Sequence, residues 1–219
     1  MDPGLLAALP EASRRAVLAA SVRRRYARGE VVFHEGDLAE TVHLVAEGRA
    51  AVRRGTPAGD TVILAVVGPG ELVGEMAMLS SEARRTTTVV ALEPTVTMTI
   101  AFGELDRLRR DDAAVDRFLL ELLAHRVRRL SDHLLEALHV PVEHRVVRRL
   151  DALCRAYDGG THGPTLLPLT QSEIGELAGA SRPVTNRVLR RLEDDGVVEL
   201  RRGAVAVLDR AALARRARG

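Results

Sequence analysis

The chain has 219 residues, 46% of them hydrophobic, which is enough for one large domain or two small ones with buried cores. Its formal net charge of +2 is too small to indicate a partner, and all 32 basic positions are arginine. No apolar run approaches the ~20 residues of a membrane-spanning helix, and the N-terminus does not resemble a signal peptide, so we expect a cytoplasmic protein without a membrane partner. The single cysteine, Cys154, excludes an internal disulfide and a multi-cysteine metal site.

The first half of the chain predicts one helix followed by short strands. Residues 11–21 carry apolar side chains at helical spacing. Apolar and alternating runs separated by glycine turns then indicate an antiparallel jelly roll or barrel. The predicted strands are residues 31–33, 42–45, 50–52, 61–67 and 87–100.

The segment from Gly70 to Thr88 carries side chains suited to a sugar phosphate. Arg85 offers a planar, permanently charged donor group, and Thr86 with free backbone N–H groups can complete the shell of an anion. Glu75 can accept a hydrogen bond from a ribose hydroxyl, while Gly74 permits close approach of the backbone. The segment therefore predicts a pocket for a small phosphorylated nucleoside.

A long helix is predicted from Asp106 to Leu138. Its apolar side chains form one stripe and a second edge, so we expect one edge to pack on the barrel and the other on a partner chain; packing on the barrel alone is the alternative. The stripe is Leu119, Leu123, Val127, Leu130, Leu134 and Leu138, and the second edge is Phe118, Leu122 and Leu135. The segment His139 to Val142 contains a proline and marks a domain boundary before a helix over residues 143–157.

The last third predicts a winged helix-turn-helix. Thr170 and Glu173 match a capping box, Gly179 ends the first helix, and Ser181 caps a second helix with a polar face. A hairpin with a basic tip follows. Because arginine can bind guanine and asparagine can bind adenine, we expect DNA contacts; a solvated face with arginines paired to Glu193 and Asp194 is the alternative. The candidate DNA-binding residues are Thr170, Gln171, Ser181, Arg182, Pro183, Thr185, Asn186, Arg187, Arg190, Arg201 and Arg202.

Nearly the whole chain resembles the CRP/FNR family of bacterial transcription regulators, especially its cyclic-AMP receptor branch. GEVVFHEGDLAETVHLVAEGRAAV resembles the early barrel, GEMAMLSSEARRTT the phosphate-binding cassette, and LTQSEIGELAGASRPVTNRVLRRLEDDGVV the DNA-binding segment. The resemblance implies an α+β chain with a cyclic-nucleotide-binding β jelly roll (residues 1–105), a long dimerisation helix (106–138) and a winged helix-turn-helix (139–219).

The resemblance also assigns roles in the pocket. It gives the ribose hydroxyl to Glu75 and the cyclic phosphate to Arg85, for which Arg84 is a competitor. Leu130 and Ser131 match positions that reach the purine, and Leu130 lacks the usual hydroxyl, so the identity of the nucleotide stays open. The implied ligand-binding residues are Gly74, Glu75, Met76, Arg85, Thr86, Arg126, Leu130 and Ser131.

We therefore expect a homodimeric regulator of a palindromic operator in double-stranded DNA, controlled by cyclic AMP and without a metal or other cofactor. The alternative is a regulator of the same type that answers to cyclic GMP or another effector, or that binds DNA without a ligand. An enzyme is not expected, because neither a nucleophile–base pair nor a metal cluster accompanies Glu75 and Arg85. Thr161 and His162 lie where the family touches RNA polymerase, and a plain surface loop is the alternative.

Overall fold

The computed structural model describes residues 9–57, 59–157 and 163–218. These residues divide into two compact units, one formed by residues 9–55 with 64–130 and the other chiefly by residues 131–218. None of the helices in the described ranges is both long and apolar enough to cross a membrane.

The first unit is a jelly roll of two antiparallel sheets. One sheet has the strand order β1-β8-β3-β6 and the other β2-β7-β4-β5, so neighbouring strands are often far apart in sequence. The elements are α1 (Glu11–Ala19), β1 (Val22–Tyr26), β2 (Val31–Phe33), β3 (Thr41–Glu47), β4 (Ala50–Gly55), β5 (Thr61–Val67), β6 (Leu72–Val73), α2 (Glu75–Met78), β7 (Thr88–Ala91) and β8 (Thr95–Ala101).

The strand predictions are confirmed with two differences. The run predicted as one strand over residues 87–100 is two strands, β7 and β8, because a turn at Glu93 and Pro94 interrupts it. Strands β1 and β6 were missed. β1 carries three consecutive arginines and little apolar alternation, so its place beside β8 follows from sheet pairing rather than from its own pattern.

Helix α3 (Phe102–Asp111) and helix α4 (Ala113–His139) replace the single helix predicted from Asp106 to Leu138. Asp112 between them is extended, with φ −142° and ψ 106°, and its carboxylate accepts a hydrogen bond from the Ala114 N–H at 2.9 Å. An aspartate that satisfies a free N–H at a helix start favours this break. The predicted start of the long helix is therefore wrong, and α4 begins seven residues later.

The first part of α4 packs on the jelly roll and its later part is exposed. Val115, Phe118, Leu119 and Leu122 are buried in one core cluster with Val42, Leu44 and Ile100 of the sheet. The sequence placed Leu119 in one stripe with Val127, Leu130, Leu134 and Leu138, and the structure buries Leu119 in the core while the other four are exposed. The exposed apolar side chains of α4 are Leu120, Val127, Leu130, Leu134, Leu135 and Leu138.

The second unit contains a winged helix-turn-helix, as the sequence predicted. Strands β10, β11 and β9 form an antiparallel sheet in that order. Strand β9 and helix α8 were not predicted. The elements are α5 (Val142–Ala156), β9 (Thr165–Leu167), α6 (Gln171–Ala178), α7 (Arg182–Asp194), β10 (Val198–Arg201), β11 (Ala204–Val207) and α8 (Arg210–Arg218).

Candidate functional site

The segment between β6 and β7, residues 74–87, is called the cassette below. It opens at Gly74, whose φ of +88° is a left-handed conformation that favours glycine. A Cβ at this position would lie 2.3 Å from Nη1 of Arg85, closer than any contact allows. The Gly74 carbonyl accepts a hydrogen bond from the same Nη1 at 3.3 Å. The absence of a side chain at residue 74 thus lets the arginine lie against the backbone.

Glu75 follows as the first residue of α2, and its side chain is fully buried. Arg126 of α4 donates one hydrogen bond to Oε1 of Glu75 and another to the carbonyl of Leu72. Burial raises the pKa of the Glu75 carboxyl, and the positive charge of Arg126 opposes that shift. Oε2 of Glu75 is buried and has no hydrogen-bond partner among the described residues.

Arg85 is also buried, with only 5% of its surface exposed. Its guanidinium carbon lies 4.1 Å from the centre of the Phe33 ring, and Nη2 donates to Oγ1 of Thr41 at 3.1 Å. Burial lowers the pKa of this guanidinium, which still stays charged. Nε of Arg85 is a buried donor without a partner in the described part of the chain.

The structure distinguishes Arg85 from its neighbour Arg84. Arg84 is exposed and donates to the carbonyl of Gly36 at 2.7 Å, on the outside of the cassette. The backbone of Arg85 donates to the carbonyl of Asp37 at 2.9 Å and accepts from the Gly36 N–H at 2.8 Å. These bonds hold the two arginines on opposite sides of the chain, with Arg85 directed inward.

A polar cluster behind Arg85 was not predicted from the sequence. Nε2 of His43 lies 3.3 Å from Oγ1 of Thr41, and Nδ1 lies 3.2 Å from Oγ1 of Thr99. Burial, with the nearby Arg85 as a second cause, lowers the pKa of His43 to about 4, so the ring is neutral at pH 7. Thr41 and His43 are two residues apart on β3 and face the same side, which is the signal that could have identified them.

The other predicted ligand contacts are less enclosed. Met76 and Thr86 are exposed on the cassette, and Leu130 is 67% exposed on α4. Ser131 is also exposed on that helix. The structure therefore brings Gly74, Glu75, Arg85 and Arg126 together and leaves the proposed purine contacts at the surface.

In the second unit, α6 and α7 cross at a close contact. Thr170 accepts from the Glu173 N–H at 3.2 Å while the Glu173 carboxylate accepts from the Thr170 N–H at 2.7 Å, which confirms the capping box. A Cβ on Gly175 would lie 2.7 Å from Oγ1 of Thr185. The glycine therefore allows the two helices to approach.

Thr185 was expected to be exposed, and that expectation is wrong, because the side chain is only 1% exposed. Its hydroxyl donates to the carbonyl of Ser181, four residues earlier, at 3.0 Å. Ser181 occupies the position before α7 as expected, but its own side chain makes no capping bond. Thr185 packs beside Gly175 and fixes how α7 sits on α6.

The exposed face of α7 carries Arg182, Asn186, Arg187 and Arg190. Arg190 pairs with Glu193 at 2.8 Å, as the alternative of a solvated face expects, whereas Arg187 pairs with Glu143 of α5 at 2.7 Å. Exposed ion pairs contribute only about 0–1 kcal/mol, so a phosphate can replace them. Arg182 forms no ion pair with any residue that the structure describes. Pro183 lies in the first turn of α7, as expected.

The tip of the hairpin also lies at the surface. Arg201 and Arg202 are exposed, and Arg201 pairs with Glu199 at 2.8 Å. Thr161 and His162, the predicted contact with RNA polymerase, lie outside the described residues.

Models of two known domain families match the chain, one in each unit. The model of the cyclic nucleotide-binding domain matches residues 23–112, and the model of the Crp-like helix-turn-helix domain matches residues 144–216. The cyclic AMP receptor protein of Thermus thermophilus is 37% identical over 196 residues, which cover 87% of this chain and 86% of the relative. The chain belongs to the CRP/FNR family of transcription regulators.

Two further proteins support the membership of this chain in the CRP/FNR family. A CRP-like cAMP-activated global transcriptional regulator of Mycobacterium tuberculosis is 30% identical over 199 residues, or 88% of this chain and 87% of the relative. The solved structure of the c-di-GMP-responsive regulator CLP of Xanthomonas campestris has a TM-score of 0.77 at 26% identity, covering 91% of this chain and all of CLP. The chain is thus a DNA-binding transcription regulator with a cyclic nucleotide-binding domain, and not an enzyme.

Proposed function

We propose that a cyclic nucleotide, with cyclic AMP as the first candidate, binds in the cassette and controls DNA binding by a homodimer. The observation that carries this proposal is a pair of buried polar atoms without partners among the described residues, Oε2 of Glu75 and Nε of Arg85. Buried polar atoms are almost always hydrogen-bonded, so we assign these two to contacts with a ligand. Oε2 accepts from a sugar hydroxyl and Nε donates to a phosphate oxygen.

The charges in the cassette support an anionic ligand beside Arg85. Glu75 already has a cation, Arg126, as its partner. Arg85 contacts a carbonyl, a hydroxyl and an aromatic ring, and no described carboxylate lies within ion-pair distance of it. A cyclic phosphate supplies the one charge that this guanidinium lacks, and burial strengthens the attraction because the local dielectric constant is low.

The base of the proposed nucleotide has less support from the described residues than its phosphate. The Thermus thermophilus relative is named a cyclic AMP receptor, whereas CLP is described as responsive to c-di-GMP. Leu130, at the matching purine position, carries no hydrogen-bonding group. A regulator with the same cassette that answers to cyclic GMP or another nucleotide is therefore the second candidate.

Dimerisation is proposed from the later part of α4. Leu120, Val127, Leu130, Leu134 and Leu138 are exposed at spacings of seven, three, four and four residues, which place them on one face of the helix. A second copy of this helix would bury that face in a two-stranded coiled coil. Two copies of α7 would then bind a palindromic operator in which the half-sites are one turn of DNA apart.

Control by the nucleotide would be a shift of population. The nucleotide would favour the dimer arrangement in which the two copies of α7 match the operator. The mechanism needs no metal or prosthetic group, since the nucleotide is itself the effector. We further propose that the regulator works in the cytoplasm, where the chromosome lies, and that it contacts RNA polymerase there.

Isothermal titration calorimetry with cyclic AMP and cyclic GMP tests the assignment of the cassette. We expect saturable binding of one of them to the purified protein. Arg85→Leu should weaken that binding at least 100-fold, since a charge-assisted, buried bidentate contact contributes about 3 kcal/mol or more.

Arg84→Leu is the matched control, because it removes the same charge one residue away on the exposed side. It should change the affinity less than about threefold, as expected for a screened surface charge. If Arg84→Leu abolishes binding while Arg85→Leu leaves it intact, the phosphate is held by the other arginine. If the protein binds neither nucleotide, the proposal is contradicted, and a regulator that uses another effector or no ligand takes its place.

A further inference from the structure

Gln171 and Asn186 join the two helices of the helix-turn-helix at its surface. Nδ2 of Asn186, on α7, donates a hydrogen bond to Oε1 of Gln171, the first residue of α6, at 3.1 Å. The capping box at Thr170 and Glu173 fixes the backbone next to Gln171. Contact of Gly175 with Thr185 fixes the distance between the helices. The pair is therefore built on a rigid frame.

Asn186 lies on the exposed side of α7. Arg182, Asn186 and Arg190 are exposed and follow one another at intervals of four residues, so they share one face. Thr185, Val188 and Leu189 are buried on the other face. A side-chain amide on the exposed face of a recognition helix can bind adenine with two hydrogen bonds, one accepted from N6 and one donated to N7.

The bond to Gln171 leaves Asn186 with the groups that adenine needs. The amide nitrogen has two hydrogens, and one of them is given to Gln171. The second hydrogen and Oδ1 stay available, which is one donor and one acceptor. Turning the Asn186 amide over would place Oδ1 against Oε1 of Gln171 unless the Gln171 amide turned as well, so the orientations of the two amides are coupled.

We propose that Gln171 is a positioning residue that holds the Asn186 amide in the orientation that reads an adenine at one base pair of each half-site. Gln171 acts through Asn186 and does not itself contact the base. The proposal rests on the binding of DNA by α7 and is independent of which nucleotide occupies the cassette. It adds one specified base pair to the positions read by the arginines of the same helix.

Selection from a random-sequence duplex DNA library tests this proposal, with the full-length protein in the presence and in the absence of cyclic AMP. Wild type should enrich a half-site with one strongly preferred A·T pair. Asn186→Ala should lower the preference at that pair on the order of tenfold, which is typical of a lost bidentate contact. Gln171→Ala should lower the preference at the same pair by about fivefold.

Two further variants separate positioning from general weakening. Gln171→Glu keeps an acceptor for Nδ2, so the preference for A·T should persist although the added negative charge lowers affinity for every sequence. Ser172→Ala, next to Gln171 on α6, should leave the preference unchanged. In the double variant of Gln171 and Asn186, the loss should be no greater than in Asn186→Ala alone, because both act through one contact.

The outcomes distinguish this proposal from the control by nucleotide. If Gln171→Ala selects the same motif as wild type, the positioning role of Gln171 is contradicted, while the proposed control by nucleotide is not affected. Enrichment that is equal with and without cyclic AMP would contradict control by cyclic AMP, and the base preference could still be determined. A uniform loss across all positions of the motif would show that Gln171 contributes only to affinity and would overturn the proposal.

Discussion

At the scale of single residues, the cassette depends on the missing side chain of Gly74 as well as on the charged side chains beside it. Gly74 allows Arg85 to lie against the backbone, with its Nε buried and without a partner among the described residues. Alanine at residue 74 would combine a positive φ with a clash at 2.3 Å from Nη1. The two effects are separable, because a positive φ costs stability whereas displacement of Arg85 costs affinity.

Gly74→Ala should lower the free energy of unfolding by about 1–2 kcal/mol, the cost of a left-handed conformation for a residue with a Cβ. It should also weaken nucleotide binding at least tenfold, which corresponds to about 1.4 kcal/mol. Urea denaturation and calorimetry measure the two quantities. Gly29→Ala is the control, since Gly29 has a φ of +81° and open space around its Cβ position. Equal affinity losses in both variants would contradict the role assigned to Gly74.

His43 gives the fold a dependence on pH. The histidine has a pKa of about 6.5 when unfolded and about 4 in the fold, so the unfolded chain binds the extra proton first as the pH falls. The free energy of unfolding should therefore decrease between about pH 6.5 and pH 4, by about 3 kcal/mol in total. Above pH 6.5 this contribution is constant.

Denaturation of wild type and His43→Gln across that range measures the effect. The variant keeps hydrogen-bonding groups near Thr41 and Thr99 without a titrating ring, and its dependence on pH should be weaker than that of wild type. Parallel curves for the two proteins would show that other groups cause the loss of stability in acid.

The residues behind Arg85 were not predicted from the sequence. Glu75 and Arg85 lie close together in the sequence and carry charge, so they were found. Phe33 and Thr41 come from β2 and β3, which belong to different sheets, and they meet Arg85 only through the tertiary fold, with His43 bonded behind Thr41. Thr185 was placed on the wrong face although it lies three, four and seven residues before Val188, Leu189 and Leu192, all of which are buried. Its hydroxyl bonds to its own helix backbone, which makes burial of this polar side chain acceptable.

At the scale of elements, α4 has two apolar faces, of which one is buried and the other exposed. Its early face is buried in the jelly roll, whereas the later stripe of Val127, Leu130, Leu134 and Leu138 is exposed. Periodicity predicted a helix with two apolar edges. Periodicity did not show which of these side chains face the core. Leu119 has the spacing of the later stripe, yet it is buried in the core. The break at Asp112 was also overlooked, although an aspartate before an apolar run is a signal for a helix start.

Leu134→Glu should dissociate the proposed dimer, because it places a charge in the centre of the apolar stripe. Sedimentation velocity should show a dimer for wild type and a monomer for the variant, whose circular dichroism should stay unchanged. Asp132→Lys, a charge change on another face of α4, should remain dimeric. A wild-type protein that sediments as a monomer would contradict the assignment of this stripe to a partner helix.

At the scale of the whole molecule, the chain combines a cyclic nucleotide-binding domain with a DNA-binding helix-turn-helix domain. The order of the two units and the elements within them were predictable, because turns, the capping box and helical periodicity are local signals. The energy that couples ligand and DNA is not a local property. In the proposed dimer it would depend on how strongly each ligand prefers one arrangement, and by linkage each would strengthen the binding of the other to the same extent.

The affinity for the selected operator, measured with and without saturating cyclic nucleotide, tests the coupling most directly. We predict that the nucleotide raises the affinity of wild type for the operator between about 5-fold and 150-fold, the range of typical coupling energies, and leaves Arg85→Leu unchanged. Equal operator affinity of wild type with and without either cyclic AMP or cyclic GMP would contradict the proposal that the cassette controls DNA binding.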